Sequence, residues 1–143
     1  MKKILTLTIC LLSIVSFAQK KDKIESLKIG FFTDKLDLST DEAKTFWPVY
    51  NKHNTLFKDL KKNKWKSVHQ RLSNIDSLTE KEAEHLLEDY MAYKAKRNEL
   101  REDFVGELKT VITPKQIMML KYAEYEFNKK LLKQYNSSSP SKD

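Results

Sequence analysis

One cysteine, two glycines, three prolines and three histidines are all that the 143 residues contain. Each scarcity closes off a class of structure or chemistry. The single Cys10 lies in an apolar stretch near the N-terminus. The body of the chain therefore has no disulfide, no thiol nucleophile and no Cys-based metal site. Turns and β-hairpins draw heavily on glycine and proline, and no segment alternates apolar and polar residues for long. With 33% charged residues, the class to expect is all-α. No two of His53, His69 and His85 stand three or four apart, the spacing that builds half a metal site on one helix. There is no Gly-rich phosphate loop, no G-x-S-x-G and no H-E-x-x-H. No catalytic residue, metal or cofactor is expected, and the chain reads as a non-enzyme.

The N-terminus reads as a targeting segment. Lys2 and Lys3 are followed by the apolar run Ile4–Val15, and Ser16-Phe17-Ala18 offers the small residues that a signal peptidase reads. Residues 1–18 are the expected signal peptide. Cys10 lies inside the apolar run, so a lipoprotein is not expected; an uncleaved anchor is the alternative. Removing 18 of the 143 residues leaves 125, enough for one domain. Without Lys2 and Lys3 the basic count is 25 against 20 acidic, a net +5. That excess favours acidic partners at low salt. Export makes nucleic acid an unsuitable partner, and the mature chain is not expected to span a membrane.

What is present is organised around Leu38–Tyr50, LSTDEAKTFWPVY. Ser39 can cap a helix by accepting from the backbone N–H three residues on, while Glu42 reaches back to the Ser39 N–H. Leu38 can staple onto Ala43, and Asp41 and Glu42 complement the helix dipole. The device recurs with Thr79 and Glu82, and with Thr113 and Gln116, where Pro114 takes the first helical position. Three helix starts are thus written into the chain.

In order, Ile24–Leu36 predicts a short amphipathic helix. Ile24, Leu27 or Lys28, Phe31 and Lys35 form one row, and Phe32 and Leu36 its apolar edge. Gly30 weakens it or permits a close helix contact. The second helix begins at Thr40 with a stripe of Ala43, Phe46, Trp47, Tyr50, Phe57 and Leu60. Pro48 should kink it. The helix can run on to about Ser73, with Trp65, Val68 and Leu72 extending the stripe after a slip in phase near Asn63; a break there is the alternative. The third helix starts at Glu80 and can reach Thr110, with a stripe of Ala83, Leu86, Leu87, Tyr90, Tyr93, Leu100, Phe104, Leu108 and Val111. Arg97 falls within that stripe and is expected to snorkel outward. The fourth follows the third box, with Ile117, Leu120, Ala123, Phe127, Leu131 and Tyr135 as its core row. The single domain is expected over residues 19–136, with a disordered tail at 137–143.

Two surfaces stand out. Lys58, Lys61, Lys62, Lys64, Lys66 and Arg71 crowd into fourteen residues, with Lys58, Lys62 and Lys66 on one face at four-residue spacing. Trp65 lies among them. The alternatives are a binding surface and a solvated face. The second surface is the row Met118, Tyr122 and Tyr125, which reads as a surface for varied partners, a core row or a dimer seam. Thin helices with wide apolar stripes also favour a homodimer. A metal site assembled from His53, His85 and a carboxylate across helices is a further alternative.

The boxes Leu38-Ser39-Thr40-Asp41-Glu42 and Ile112-Thr113-Pro114-Lys115-Gln116 resemble the LTxxQ motif of the Spy/CpxP superfamily of periplasmic proteins; the first carries Glu where the family usually has Gln. Over roughly residues 22–135 the chain looks still more like the Spy/CpxP-like proteins labelled "sensor of ECF-type sigma factor". That likeness rests on Lys28-Ile29-Gly30-Phe31-Phe32-Thr33-Asp34-Lys35-Leu36, on Phe46-Trp47-Pro48-Val49-Tyr50-Asn51, and on Thr113-Pro114-Lys115-Gln116 with Tyr122 and Phe127. The resemblance implies an elongated four-helix, antiparallel, hairpin-like bundle, forming a curved homodimer in the periplasm. It implies an ATP-independent chaperone that holds unfolded envelope proteins. The candidate client-binding residues are Lys58, Lys61, Lys62, Trp65, Lys66, Met118 and Tyr122. The other readings are a stress-response module that docks on one signalling partner, such as a sensor kinase or anti-sigma factor, and a metal-binding stress protein. The family's His-rich metal-binding segments are missing here.

Overall fold

The computed structural model describes residues 22–138. Residues 1–21 and 139–143, which include the expected signal peptide and most of the expected tail, lie outside the described residues. The all-α expectation is met: no strand occurs among the described residues. A first helix covers residues 22–36 (α1). It is followed by α2 (Thr40–Leu60), a π-helical turn (Lys61–Trp65), α3 (Lys66–Leu72), a 3-10 turn (Ile75–Ser77), α4 (Glu80–Leu108) and α5 (Pro114–Ser138). The described chain divides into two compact units, one of residues 22–38 with 118–138 and one of Ser39–Ile117.

In the first unit, Phe32 and Leu36 of α1 are buried, as are Leu120, Ala123 and Phe127 of α5. The Phe127 ring lies 5.8 Å from Phe31 and 5.8 Å edge-on to Phe32, and Lys35 pairs with Glu126 at 2.8 Å. The inward row of α1 is therefore Lys28, Phe32 and Leu36. Of the two alternatives it takes Lys28, since Leu27 is 51% exposed, and the expected edge of Phe32 and Leu36 goes inward in place of Phe31 and Lys35. Lys28 can stand in the inward row because its stem packs while its ammonium reaches Glu25 at 3.2 Å. Gly30 has nothing within 4 Å of where a Cβ would stand, so it serves no close helix contact. Asp37 stops the helix with φ 51°. Its N–H bonds the Asp34 carbonyl at 3.2 Å, and the Leu38 N–H bonds that of Thr33 at 3.1 Å. This is a Schellman stop, with aspartate in the left-handed position that glycine usually takes.

In the second unit α2 and α3 run antiparallel to α4. Tyr50, His53 and Phe57 gather on Phe104, at ring separations of 6.1, 4.9 and 6.4 Å. Further along, Trp65 meets Tyr93 at 5.2 Å and Tyr90 at 6.4 Å, and Arg71 reaches Asp89 at 2.5 Å. The core is Phe46, Tyr50, His53, Val68, Leu86, Leu100, Leu108 and Ile112. Leu87, expected in the α4 stripe, is 60% exposed. Leu86 fills the inward position, and the next residue on a helix points about 100° away. Arg97 is exposed, as snorkelling requires.

The slip in phase near Asn63 takes a definite form. The Lys66 N–H bonds the Lys61 carbonyl, five residues back. Trp65 follows Phe57 by eight residues, which in an unbroken α-helix puts it about 80° off the stripe. One residue absorbed in a wider turn rotates everything downstream by about 100° and returns Trp65 to the stripe.

Candidate binding site on the basic turn

The π turn carries the basic run. Lys58, Lys61, Lys62, Trp65, Lys66 and His69 line an open groove of about 430 Å³. Of the seven residues singled out in the basic run, five (Lys58, Lys61, Lys62, Trp65 and Lys66) are in this lining; Lys64 and Arg71 are not. Lys58, Lys62, Lys66 and Lys61 are exposed and Trp65 is half-buried. The Trp65 indole packs against Tyr93 and Tyr90 of α4 and against His69, whose ring lies 5.9 Å away. His69 is the lining residue that sequence reasoning did not select; its signal was its place four residues after Trp65 on the same helix.

Among the described residues none of these four lysines pairs with a carboxylate, although other lysines do: Lys28, Lys35, Lys44, Lys52, Lys96 and Lys121 each hold one. Arg71 leaves the basic surface, since Asp89 and the Glu82 carbonyl take its guanidinium. Lys64 is exposed but does not line the groove. The groove is thus a set of uncompensated ammonium groups around one aromatic face. Like charges one turn apart repel, so this arrangement costs the helix stability and is suited to an anionic occupant.

Met118 and Tyr122 lie on α5 in the first unit and do not line the groove. They stand 69% and 54% exposed, with Tyr125 at 63% and Leu132 at 66%. These positions follow a step of four, then three, then seven along α5. They run opposite the buried Leu120, Ala123 and Phe127, so the helix is apolar on two sides.

The capping boxes close at all three helix starts. Ser39 Oγ accepts from the Glu42 N–H at 3.3 Å while Glu42 accepts from the Ser39 N–H at 2.9 Å. Thr79 and Glu82 do the same at 3.4 and 2.8 Å, and Thr113 and Gln116 at 3.2 and 2.9 Å. The first and third boxes also meet: the Gln116 amide donates to Glu42 at 3.4 Å. A carboxylate only accepts and an amide can donate, so Glu in one box and Gln in the other form a complementary pair. The Ser39 N–H and hydroxyl, and then the Gln116 amide, hold the Glu42 carboxyl below its ordinary range. Thr79 does the same for Glu82, through its hydroxyl first and its N–H second.

The His53 and His85 metal site is not assembled. His53 is buried on α2 with its Nε2 3.2 Å from Glu107 near the end of α4, and Glu107 is also held by Lys52. His85 is exposed near the start of α4, where it meets Glu88 at 3.3 Å. Glu107 and His85 are 22 residues apart on one helix, about 33 Å. No group of three side chains able to hold a metal occurs among the described residues. No helix among them is long and apolar enough to cross a membrane. No family model matches the chain, and no curated protein or solved structure matches it.

Proposed function

We propose that the chain is a non-enzymatic holding protein of the periplasm that shields exposed apolar segments of unfolded envelope proteins in the groove of Lys58, Lys61, Lys62, Trp65 and Lys66. The observation that carries this reading is the groove itself: uncompensated ammonium groups around a braced aromatic face. Charge would speed encounter, and the indole and the lysine stems would supply the weaker apolar hold. The resemblance of Phe46-Trp47-Pro48-Val49-Tyr50 and of the capping boxes to Spy/CpxP-like proteins supports the same reading, as does the signal-like segment 1–18. A homodimer of the elongated bundle type belongs to it.

The test is light scattering of a chemically denatured client diluted into buffer with the purified chain, at low and high salt. Suppression at near-stoichiometric protein, weakened by salt and lost when Lys58, Lys62 and Lys66 are replaced by glutamate, is the expected outcome. No suppression at several-fold excess would overturn it. The exposed row Met118, Tyr122 and Tyr125 favours a second reading, a regulatory module that docks on one folded signalling partner. A single partner recovered by pull-down, lost on Tyr122→Glu, together with no effect on aggregating clients, would establish that reading instead.

A further inference from the structure

The geometry points to the groove on the π turn as a binding site for a phosphorylated sugar, with two phosphates carried on a disaccharide-sized body. The charge comes from Lys58, Lys61, Lys62 and Lys66, none of which is paired with a carboxylate among the described residues. No arginine lines the groove. The anion is therefore held by point charges and not by a bidentate fork, and lysine ammonium groups bind phosphate in this way. The lysines extend from Lys58 to Lys66, about 12 Å along the helix, so two separated phosphates satisfy them better than one. The volume of about 430 Å³ lies in the range of small-molecule sites, about 300–1,000 Å³. It corresponds to about fourteen waters at ~30 Å³ each, far more than a bare phosphate fills.

The remaining wall is apolar and flat. Trp65 presents its indole to the groove and is fixed there by Tyr93, Tyr90 and His69. A braced ring of this kind takes the apolar face of a sugar ring, while the flanking ammonium groups take its phosphates. The π turn matters to this, because it sets Lys66 one above Lys61 along the helix, where an α-helical turn would leave them about 140° apart. The inference does not rest on client holding, and the two fail separately: the titration below contains no client, and the scattering assay contains no sugar.

The experiment is calorimetric titration of the purified chain at low salt with a diglucosamine bisphosphate, with sodium phosphate and with unphosphorylated chitobiose. One site per chain is expected, binding the bisphosphate at least about tenfold more tightly than either control, as one further charge-assisted contact requires. Lys58→Gln and Lys66→Gln should each weaken it by about tenfold. Trp65→Leu should erase the preference for the sugar over phosphate. Because Trp65 also packs on α4, the lysine variants carry the decision, with circular dichroism to show that they fold. Sedimentation with phosphatidylcholine vesicles, plain or bearing a lipid with the same bisphosphorylated headgroup, separates the sources. Capture by the headgroup vesicles alone assigns a lipid, and binding of the free sugar without capture assigns a soluble glycan. Equal affinity for bisphosphate and phosphate, or unchanged affinity in the Lys58→Gln, Lys66→Gln double variant, overturns the proposal.

Discussion

Deleting Asn63 tests whether the π turn is an absorbed extra residue. The turn spans Lys61–Trp65, with the Lys66 N–H bonded five residues back to Lys61. Removing one residue restores four-residue bonding and leaves Trp65 and Val68 facing α4, because the wider turn had already taken up the rotation. The gain is of the order of one backbone hydrogen bond in good geometry, about 0.5–1.5 kcal/mol net. For the 117 described residues, at roughly 2.1 cal/mol/K of unfolding entropy per residue, 1 kcal/mol raises Tm by about 4 °C. Thermal unfolding followed by circular dichroism should therefore show Tm raised by about 2–6 °C. Trp65 fluorescence should keep the emission of a half-buried indole, and client protection should be kept, because the deletion leaves Lys61 and Lys66 four residues apart in an α-helix, still on one face. A Tm lowered by about 10 °C or more, or a Trp65 emission shifted to that of a solvated indole, would refute the reasoning. The π turn would then be a requirement of the packing and not an accommodation.

The other predictions concern the scaffold. Gly30→Ala and Gly106→Ala should each stabilise the protein by about 0.5–1 kcal/mol, since both lie inside helices with nothing within 4 Å of the added Cβ; urea midpoints measure this, and a loss at either site would contradict it. Phe46→Ala should cost about 3–5 kcal/mol, because the ring is fully buried at 0% exposure against Trp47 and Tyr50 at 5.0 and 5.7 Å; a cost near zero in urea unfolding would mean that this cluster is not core. Ser39→Ala and Thr79→Ala should each cost about 1 kcal/mol as lost N-caps. Glu42 and Glu82 have carboxyls held below the ordinary glutamate range, so their contribution is complete above that range and is lost as pH falls through their lowered values. The urea midpoint should drop between pH 6 and pH 3, and the Glu42→Gln, Glu82→Gln double variant should drop less; an equal drop would remove these carboxylates from the acid response.

The helix starts were legible in the sequence because a capping box is a local device: Ser39 with Glu42, Thr79 with Glu82 and Thr113 with Gln116 lie within one turn of each other. The scarcity of glycine and proline set the all-α class for a similar reason, since turn chemistry is short-range. The lysine cluster was visible as a run, and its sharing of one face followed from helical spacing alone. The tertiary structure decided what depends on a partner element. It placed Lys28, not Leu27, in the inward row of α1, turned Leu87 to solvent, and removed Arg71 from the basic surface through Asp89 on α4. It kept His53 and His85 at opposite ends of α4, although both are histidines on neighbouring helices in sequence. It also joined Glu42 to Gln116, a contact across 74 residues that makes sense of the Glu in the first box. Periodicity records which face of a helix is apolar; which residue of that face goes inward is set by the side chains that arrive from elsewhere in the chain.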